Sequence, residues 1–257
     1  IKEFNYEKNE INTEMLLEAW MIDFISKNGF EGEKYDYVTH QVIASPFKPL
    51  AYIDKMDIFA YRYLENFPDT EKPIEKYMVI ELKKGKATRD FPLQLMRYVD
   101  WISREYAAGD YSLIKAVGIA KGYPKGMQKI LDEQCKRSYL SDLHPNTTSQ
   151  WNDLSLYEYS MNQTNQLQIK KSNIFDSILE LKERLSDIGI EYNTGKIRIN
   201  GEVYAPKFKV QSKKWAFFDG LNEEERIVLN ENKWKVIDIG GIKNKAEVDQ
   251  LILELFK

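Results

Sequence analysis

An acidic and a basic residue stand two positions apart at the end of an apolar stretch, in the segment YMVIELK at residues 77–83. Side chains alternate between the two faces of a β-strand, so Glu81 and Lys83 would point the same way, opposite to Leu82. A carboxylate and an ammonium are costly at the end of an apolar strand unless they are exposed, paired or bound to an ion. The pair therefore indicates either a surface ion pair or a site that holds a cation beside an ammonium group.

A second acid stands where a β-sheet would bring it beside the first. Asp57 begins the run DIFAY, and the polar stretch 66–76 predicts a loop that turns the chain back towards Glu81. Two carboxylates, the main-chain carbonyl of Leu82, phosphate oxygens and waters would complete the octahedral oxygen shell that Mg²⁺ prefers, and Mn²⁺ is expected to substitute. The pattern predicts a metal site with Lys83 near the attacking water, which suits phosphodiester hydrolysis.

The elements that would position these groups follow an α/β pattern. Apolar residues at helical spacing predict an amphipathic helix over residues 12–28, which Gly29 ends. The run LIKAVGIA at 113–120 predicts a buried strand parallel to the strand of Glu81. The other predicted elements of this part are strands at 35–45, 50–64 and 77–83, a polar loop at 66–76, helices at 90–107 and 123–139, a polar loop at 144–153 and a hairpin of 154–161 with 167–171.

The remaining residues predict a second, smaller α/β domain. A boundary at 171–173 would leave residues 1–172 and 173–257 as separate domains. The expected fold class is α/β, with a mixed β-sheet flanked by helices and a smaller domain after it. The predicted elements of the second domain are a helix at 174–188, strands at 196–200, 202–210 and 214–219, a helix at 223–232, a strand at 235–239 and a helix at 245–256.

The first part of the chain resembles the PD-(D/E)XK nuclease superfamily, and within it the catalytic domain of the NucS-like endonucleases. The likeness rests on MDI at 56–58, on VIELK at 79–83, and on a glutamine and a tyrosine in the following helix, Gln94 and Tyr98. These two residues lie one helical turn apart, so both can face the metal edge of the sheet. The resemblance covers residues 12–122 and implies a restriction-endonuclease-like mixed β-sheet.

The chain departs from the family pattern at two points, and one ligand stays open. Met56 stands where the family usually has a proline, and the segment between Asp57 and Glu81 is longer than usual. Neither change removes a ligand. The resemblance also implies an acid on the first helix, for which Glu14 and Glu18 are alternatives on one helical face.

The resemblance further implies a role for each residue in the hydrolysis of a phosphodiester. Asp57 and Glu81 would hold the metal ion. Lys83 would orient the attacking water or help to deprotonate it and would offset charge in the transition state. Gln94 would position the phosphate or the nucleophile, and Tyr98 would contact the nucleic-acid backbone. The helix acid would contact a second ion or its waters.

The segment 214–240 resembles the very-short-patch-repair branch of the same superfamily. The position of the catalytic acid falls on Phe217, and Lys207 stands where an acid would follow Pro206. Because both ligands are missing, the resemblance implies a degenerate nuclease-like copy that serves DNA binding or dimerisation. A winged-helix-like module is the competing interpretation.

Basic residues bunch in two places although the net charge of the chain is −3. One cluster follows the strand of Glu81, and the other lies in a stretch without an acid between Val203 and Phe218. Nucleic acids bind to local basic faces, so both clusters are predicted to contact DNA, with a solvated surface as the alternative. The clusters are Lys84, Lys86 and Arg89, and Lys207, Lys209, Lys213 and Lys214.

Composition excludes several other chemistries. The single cysteine, Cys135, and the two histidines, His40 and His144, are too few for a Cys/His zinc cluster, and the histidines are expected in loops. The scarcity of histidine also disfavours a triad that needs a positioned imidazole. No apolar run is long enough to span a bilayer, and the first residues lack the pattern of a secretory signal, so we expect a cytoplasmic protein without a membrane partner.

The sequence thus favours a metal-dependent DNA endonuclease of the restriction, repair or defence type. The alternative is a catalytically inactive module on a nuclease scaffold that binds nucleic acid or another subunit. RNA is a further alternative substrate. Because cutting both strands usually takes two active sites, a homodimer is one expected assembly.

Overall fold

The computed structural model describes residues 4–5, 10–11, 13–44, 54–66, 68, 72–143, 146–162 and 166–257. The chain divides into two compact units, residues 1–174 and residues 175–257. The first unit contains two short strands, β1 (Phe4–Asn5) and β2 (Glu10–Ile11), and then α1 (Glu14–Asn28), β3 (Tyr37–Ile43), β4 (Lys55–Tyr63), β5 (Ile74–Leu82), α2 (Phe91–Glu105), β6 (Ile114–Ala120), α3 (Met127–Gln134), β7 (Arg137–Leu143), β8 (Asn146–Trp151), β9 (Leu154–Met161) and β10 (Leu167–Lys171).

The first unit is built on a six-stranded mixed sheet in the order β10-β9-β6-β5-β4-β3. Strand β4 is antiparallel to both β3 and β5, whereas β5, β6 and β9 run parallel to one another, and β10 returns antiparallel to β9. Helix α1 packs on one face, and α2 and α3 pack on the other. The prediction of a mixed sheet flanked by helices, with the strand of 113–120 parallel to the strand of Glu81, is confirmed.

Helix α1 ends at Asn28 as the sequence predicts and begins at Glu14, two residues after the predicted start. The hydroxyl of Thr13 accepts a hydrogen bond from Leu16 N at 3.3 Å, which satisfies one of the free amide groups of the first turn. Gly29 ends the helix with φ of 72°, and its N–H donates to Ile25 O at 2.8 Å. Its missing side chain leaves room for the main chain at Glu33. Leu17, Met21 and Ile25 are the helix's buried apolar residues.

The core around β5 explains why its polar end matters. Met78, Ile80 and Leu82 pack with α1, whereas Val79 packs on the other face with Leu95, Val99 and Ile102 of α2. Every residue of β6 is buried beside it. Glu81, one residue before the end of β5, is therefore an ionisable group in a largely apolar environment.

Two parts of the first unit differ from the prediction. Helix α3 covers only Met127–Gln134, and the chain then forms the hairpin of β7 and β8, where we predicted the end of a helix and a polar loop. Tertiary contacts hold the two ends of this hairpin. Arg137 at its start donates two hydrogen bonds to Asp100, and Trp151 Nε1 at its end donates to Ile114 O at 2.8 Å. Strand β5 also begins earlier than predicted, inside the expected loop 66–76. Residues 67, 69–71 and 144–145 lie outside the described residues.

The second unit is a smaller α/β assembly of α4 (Ser177–Asp187), β11 (Ile197–Ile199), β12 (Glu202–Tyr204), β13 (Phe208–Val210), β14 (Trp215–Phe218), α5 (Glu223–Glu231), β15 (Lys235–Asp238) and α6 (Lys245–Leu255). Strands β13 and β14 are antiparallel, and β14 and β15 are parallel. The strand predicted at 202–210 is divided in two, because Pro206 cannot donate to a strand ladder. None of the described helices in either unit is long and apolar enough to cross a bilayer.

Close packing at Gly118 of β6 gives the first prediction. A Cβ at this position would lie 2.6 Å from Leu156 Cδ2 and 2.6 Å from Phe91 Cε1. We expect Gly118→Ala to lower the free energy of unfolding by about 1–3 kcal/mol, measured by urea denaturation, because α2 must move away from the sheet. Gly85→Ala is the matched control, since a Cβ there meets no described atom within 4 Å. Equal stability of the two variants would contradict this account.

Candidate metal centre

The candidate site lies where the pairing of β4 and β5 ends. The antiparallel register pairs Ile58 with Ile80, so Asp57 and Glu81 are the next residues along the two strands. Leu82 N donates to Asp57 Oδ2 at 2.8 Å. The Asp57 side chain thus takes the place of a main-chain partner, which fixes this carboxylate at the same sheet edge as Glu81.

Lys83 follows β5 directly and lies beside both neighbouring acids. Its Nζ is 3.8 Å from Glu81 Oε1 and 3.8 Å from Glu14 Oε1 on α1. The main-chain N–H of Lys83 donates to Ile119 O at 2.9 Å, which connects the end of β5 to β6. Glu81 and Lys83 are therefore neighbours, and an acid from the first helix joins them.

Helix α2 contributes Gln94 and Tyr98 to the same edge. Gln94 Nε2 donates to Glu81 Oε1 at 2.6 Å and to Tyr98 OH at 3.2 Å. The two residues are one helical turn apart, which is why both reach the end of β5. The structure thus brings together Asp57, Glu81, Lys83, Gln94 and Tyr98, while their chemical roles stay predictions.

The environment of the two carboxyl groups raises the pKa of both. Burial, followed by the negative charge of Asp57, raises the pKa of Glu81 to about 8, and Lys83 opposes the shift. Burial also raises the pKa of Asp57, against the lowering effects of the Leu82 N–H and of Lys83. Glu81 is 2% exposed, and its Oε2 has no hydrogen-bond partner among the described residues. A buried acceptor without a donor is costly unless a cation or a proton satisfies it.

The donor set fits a hard divalent cation. Carboxylates and carbonyls are the ligands that Mg²⁺ prefers, and Mg²⁺ keeps several waters or phosphate oxygens in its shell. Among the described residues, no group of three or more His, Cys, Asp or Glu side chains forms a metal cluster. The protein ligands therefore remain the predicted ones, Asp57, Glu81 and the main-chain carbonyl of Leu82, with the other positions left to water and substrate.

The two alternatives for the helix acid have different surroundings. Glu14 is half exposed and lies near Lys83. Glu18 is largely buried, and its carboxylate contacts His40 Nδ1 at 2.8 Å and Gln41 Nε2 at 3.2 Å. Both acids therefore lie near the site, Glu14 beside Lys83 and Glu18 beside two residues of β3.

Sequence reasoning missed the two residues of β3 that contact Glu18. We expected His40 in a loop, but it lies in β3 with its ring against the Glu18 carboxylate. Gln41 reaches both Glu18 and Asp57. The available signal was a polar Thr-His-Gln run inside an otherwise strand-like segment. His144, the other predicted loop histidine, lies outside the described residues.

The predicted DNA-binding residues lie on surfaces of both units. Lys84, Lys86 and Arg89 are exposed and follow β5 along the chain, directly after Lys83. In the second unit, Lys209 Nζ and Lys214 Nζ lie 5.7 and 5.9 Å from the ring centre of Trp234. Lys207 Nζ is 3.9 Å from Asp219 Oδ2, and Lys213 is exposed.

Phe217, where the resemblance places a catalytic acid, belongs to the core of the second unit. It is fully buried, and its ring stacks on Phe208 with centroids 4.2 Å apart. A phenyl ring cannot ligate a hard cation. The position therefore serves packing.

No protein-family model matches the chain, and no curated protein matches it. Two solved structures are similar to part of it. One is a repair endonuclease from Pyrococcus abyssi, at 23% identity over 46% of this chain and 43% of that chain, with a TM-score of 0.32. The other is an EndoMS complex with double-stranded DNA, at 19% identity over 45% of this chain and 40% of that chain, with a TM-score of 0.28. The chain thus spans less than half of either protein, and similarity at this level carries no argument about chemistry.

The raised pKa of Glu81 predicts how stability depends on pH without metal. The folded state binds the Glu81 proton more tightly than the unfolded state, whose pKa is near the ordinary value of 4.5. The stability that this proton provides is complete below pH 4.5 and is lost as the pH rises towards about 8. In EDTA, we expect thermal unfolding to show wild type losing stability relative to Glu81→Gln over this interval. A constant difference between the two proteins would contradict the raised pKa.

Proposed function

We propose that the protein is a Mg²⁺-dependent DNA endonuclease that hydrolyses phosphodiester bonds, and that Mn²⁺ substitutes for Mg²⁺. The observation that supports the proposal is the meeting of Asp57, Glu81 and Lys83 at one sheet edge, with a Glu81 oxygen that no described residue satisfies. Two carboxylates beside an ammonium accord with the PD-(D/E)XK resemblance in residues 56–58 and 79–83. Restriction, repair or defence is the biological setting we infer.

The metal ion would be held by Asp57, Glu81 and the Leu82 carbonyl. When bound, it would supply Lewis acidity to the phosphate and to a coordinated water. Glu81 would then be ionised, because a nearby positive charge favours the carboxylate over the neutral acid. The Leu82 N–H holds Asp57 in place throughout, since it already occupies one carboxylate oxygen.

The other residues would orient the reactants and balance charge. Lys83, between Glu81 and Glu14, would orient the attacking water and offset the charge that develops on the phosphate. Gln94 holds one Glu81 oxygen and would position the phosphate or the nucleophile through the same amide group. The resemblance gives Tyr98 a contact with the nucleic-acid backbone, but Tyr98 is 2% exposed. We infer instead that its hydroxyl, which accepts from Gln94 Nε2, holds the Gln94 amide in place.

DNA is the proposed partner because of where the basic residues lie. Lys84, Lys86 and Arg89 follow the site along the chain and would contact phosphates on the bound strand. The lysines of the second unit would add a further phosphate-contacting surface. A homodimer would supply the two active sites that cleavage of both strands usually takes.

Cleavage of supercoiled plasmid and of varied duplex, mismatched and branched DNA with Mg²⁺ or Mn²⁺ tests the proposal. We expect Asp57→Asn, Glu81→Gln and Lys83→Met each to lower the cleavage rate by on the order of 100-fold or more, because each removes a charge that acts on the metal or phosphate. Glu105→Gln, an exposed carboxyl-to-amide change at the end of α2, is the matched control. Folded protein that binds DNA but cleaves no substrate, and that shows no Mn²⁺-binding heat, would instead support the inactive binding module.

A second experiment tests the basic cluster beside the site. We expect Lys84→Gln/Lys86→Gln/Arg89→Gln to weaken binding to labelled duplexes of different sequence by similar factors. The slope of log affinity against log salt should fall by about one for each phosphate that the variant no longer neutralises. Fluorescence anisotropy in EDTA measures both without cleavage. The control is Lys27→Gln/Lys129→Gln/Lys136→Gln, which removes the same charge elsewhere on the first unit. Equal weakening in the two triple variants would show a general charge effect.

A further inference from the structure

Strand β3 departs from regular geometry at Gln41. The register pairs His40 with Ile58 and Val42 with Met56, and Gln41 lies between these pairs with φ of 54°. This left-handed conformation is uncommon and costly for a residue with a side chain. Residues held in such conformations cluster at functional sites, where surrounding contacts maintain them.

The left-handed residue changes the directions of two adjacent side chains. In an extended strand, consecutive side chains point to opposite faces. Here His40 and Gln41 both reach Glu18 of α1, at 2.8 Å from His40 Nδ1 to Oε1 and at 3.2 Å from Gln41 Nε2 to Oε2. A regular strand would present only one of them to this carboxylate.

The Gln41 amide also reaches the candidate metal ligand. Its Nε2 lies 3.4 Å from Asp57 Oδ1, while the other Asp57 oxygen accepts from Leu82 N. A side-chain amide nitrogen carries two hydrogens, so one Gln41 can serve both acids. The two carboxylates repel each other, and a donor placed between them offsets that repulsion and sets their separation.

We propose that Gln41 is a positioning residue that joins the helix acid Glu18 to Asp57, with His40 holding the opposite side of the Glu18 carboxylate. Glu18, rather than Glu14, is then the helix acid held in a fixed direction towards the metal ligands. This inference rests on the proposed function, because it concerns the orientation of groups around the same cation. Ligand-orienting partners of this kind typically contribute a factor of about 10–100 in metal affinity.

Gln41→Gly tests the inference without straining the backbone. Glycine adopts a positive φ readily, so the variant removes the amide while the left-handed conformation is retained. We expect its thermal midpoint in EDTA to match or exceed that of wild type. Its dissociation constant for Mn²⁺, measured by calorimetry, should rise about tenfold or more. Asn200→Gly is the matched control, because Asn200 is also left-handed, with φ of 49°, and lies in the second unit.

Two further readouts separate positioning from general structural damage. At saturating Mn²⁺, Gln41→Gly should lower kcat for DNA cleavage and leave KM nearly unchanged, since the amide acts on metal ligands. In protein that already carries Glu18→Gln, Gln41→Gly should raise the Mn²⁺ dissociation constant by a smaller factor than it does in wild type. The reason is that Gln41 acts partly through the Glu18 carboxylate, so the effects of the two substitutions are not additive.

The outcomes distinguish this inference from the proposed function. If wild type binds Mn²⁺ and Gln41→Gly binds it within twofold as tightly, the positioning role is overturned and the metal site stands. If wild type binds no Mn²⁺ and cleaves no DNA, the proposed function fails, and the inference fails with it. A tenfold loss of affinity without a lower thermal midpoint supports the positioning role.

Discussion

The hydrogen bond from Leu82 N to Asp57 Oδ2 is the contact on which the candidate site depends. A main-chain N–H near a buried strand end must find an acceptor, and here a side-chain carboxylate takes the role that the neighbouring strand would have filled. This hydrogen bond has two effects. It satisfies the main-chain N–H at the end of β5, and it holds the Asp57 carboxylate beside Glu81. Glu81 itself is buried on the face of β5 that packs against α2.

The electrostatics of the sheet edge follow from that arrangement. Glu14, Glu18, Asp57 and Glu81 supply four carboxyl groups to the described site, and Lys83 supplies one ammonium. Without a further cation, the acid that is most easily protonated is the most buried one, Glu81. Its pKa is raised by burial first and by the negative charge of Asp57 second. The same imbalance gives a divalent cation a favourable place to bind. Burial and the negative charge of Asp57 thus both favour protonated Glu81, whereas a bound divalent cation would favour its carboxylate form.

The regular elements made most of the arrangement predictable from sequence. Strand alternation predicted that Glu81 and Lys83 lie together, and the structure places their charged groups 3.8 Å apart. Helical periodicity predicted the same for Gln94 and Tyr98, which are hydrogen-bonded in α2. Gln41 was not predictable, because a glutamine gives no signal of a left-handed backbone, as a glycine would. The hairpin after α3 was missed for another reason. Its strands are polar, and the contacts that anchor them join residues distant in sequence.

The second unit shows by contrast what the candidate site requires. Where the very-short-patch-repair resemblance would put an acid, Phe217 stacks on Phe208 inside a closed apolar core. A strand that buries rings carries no charge that a cation must balance, so it keeps its structure without one. Any contribution of this unit to nucleic-acid binding must then come from its surface lysines, two of which lie over the Trp234 ring. Their contacts with phosphate would be electrostatic and would weaken with salt, whereas cation binding at the proposed metal centre would involve the buried Glu81 carboxylate, which salt screens far less.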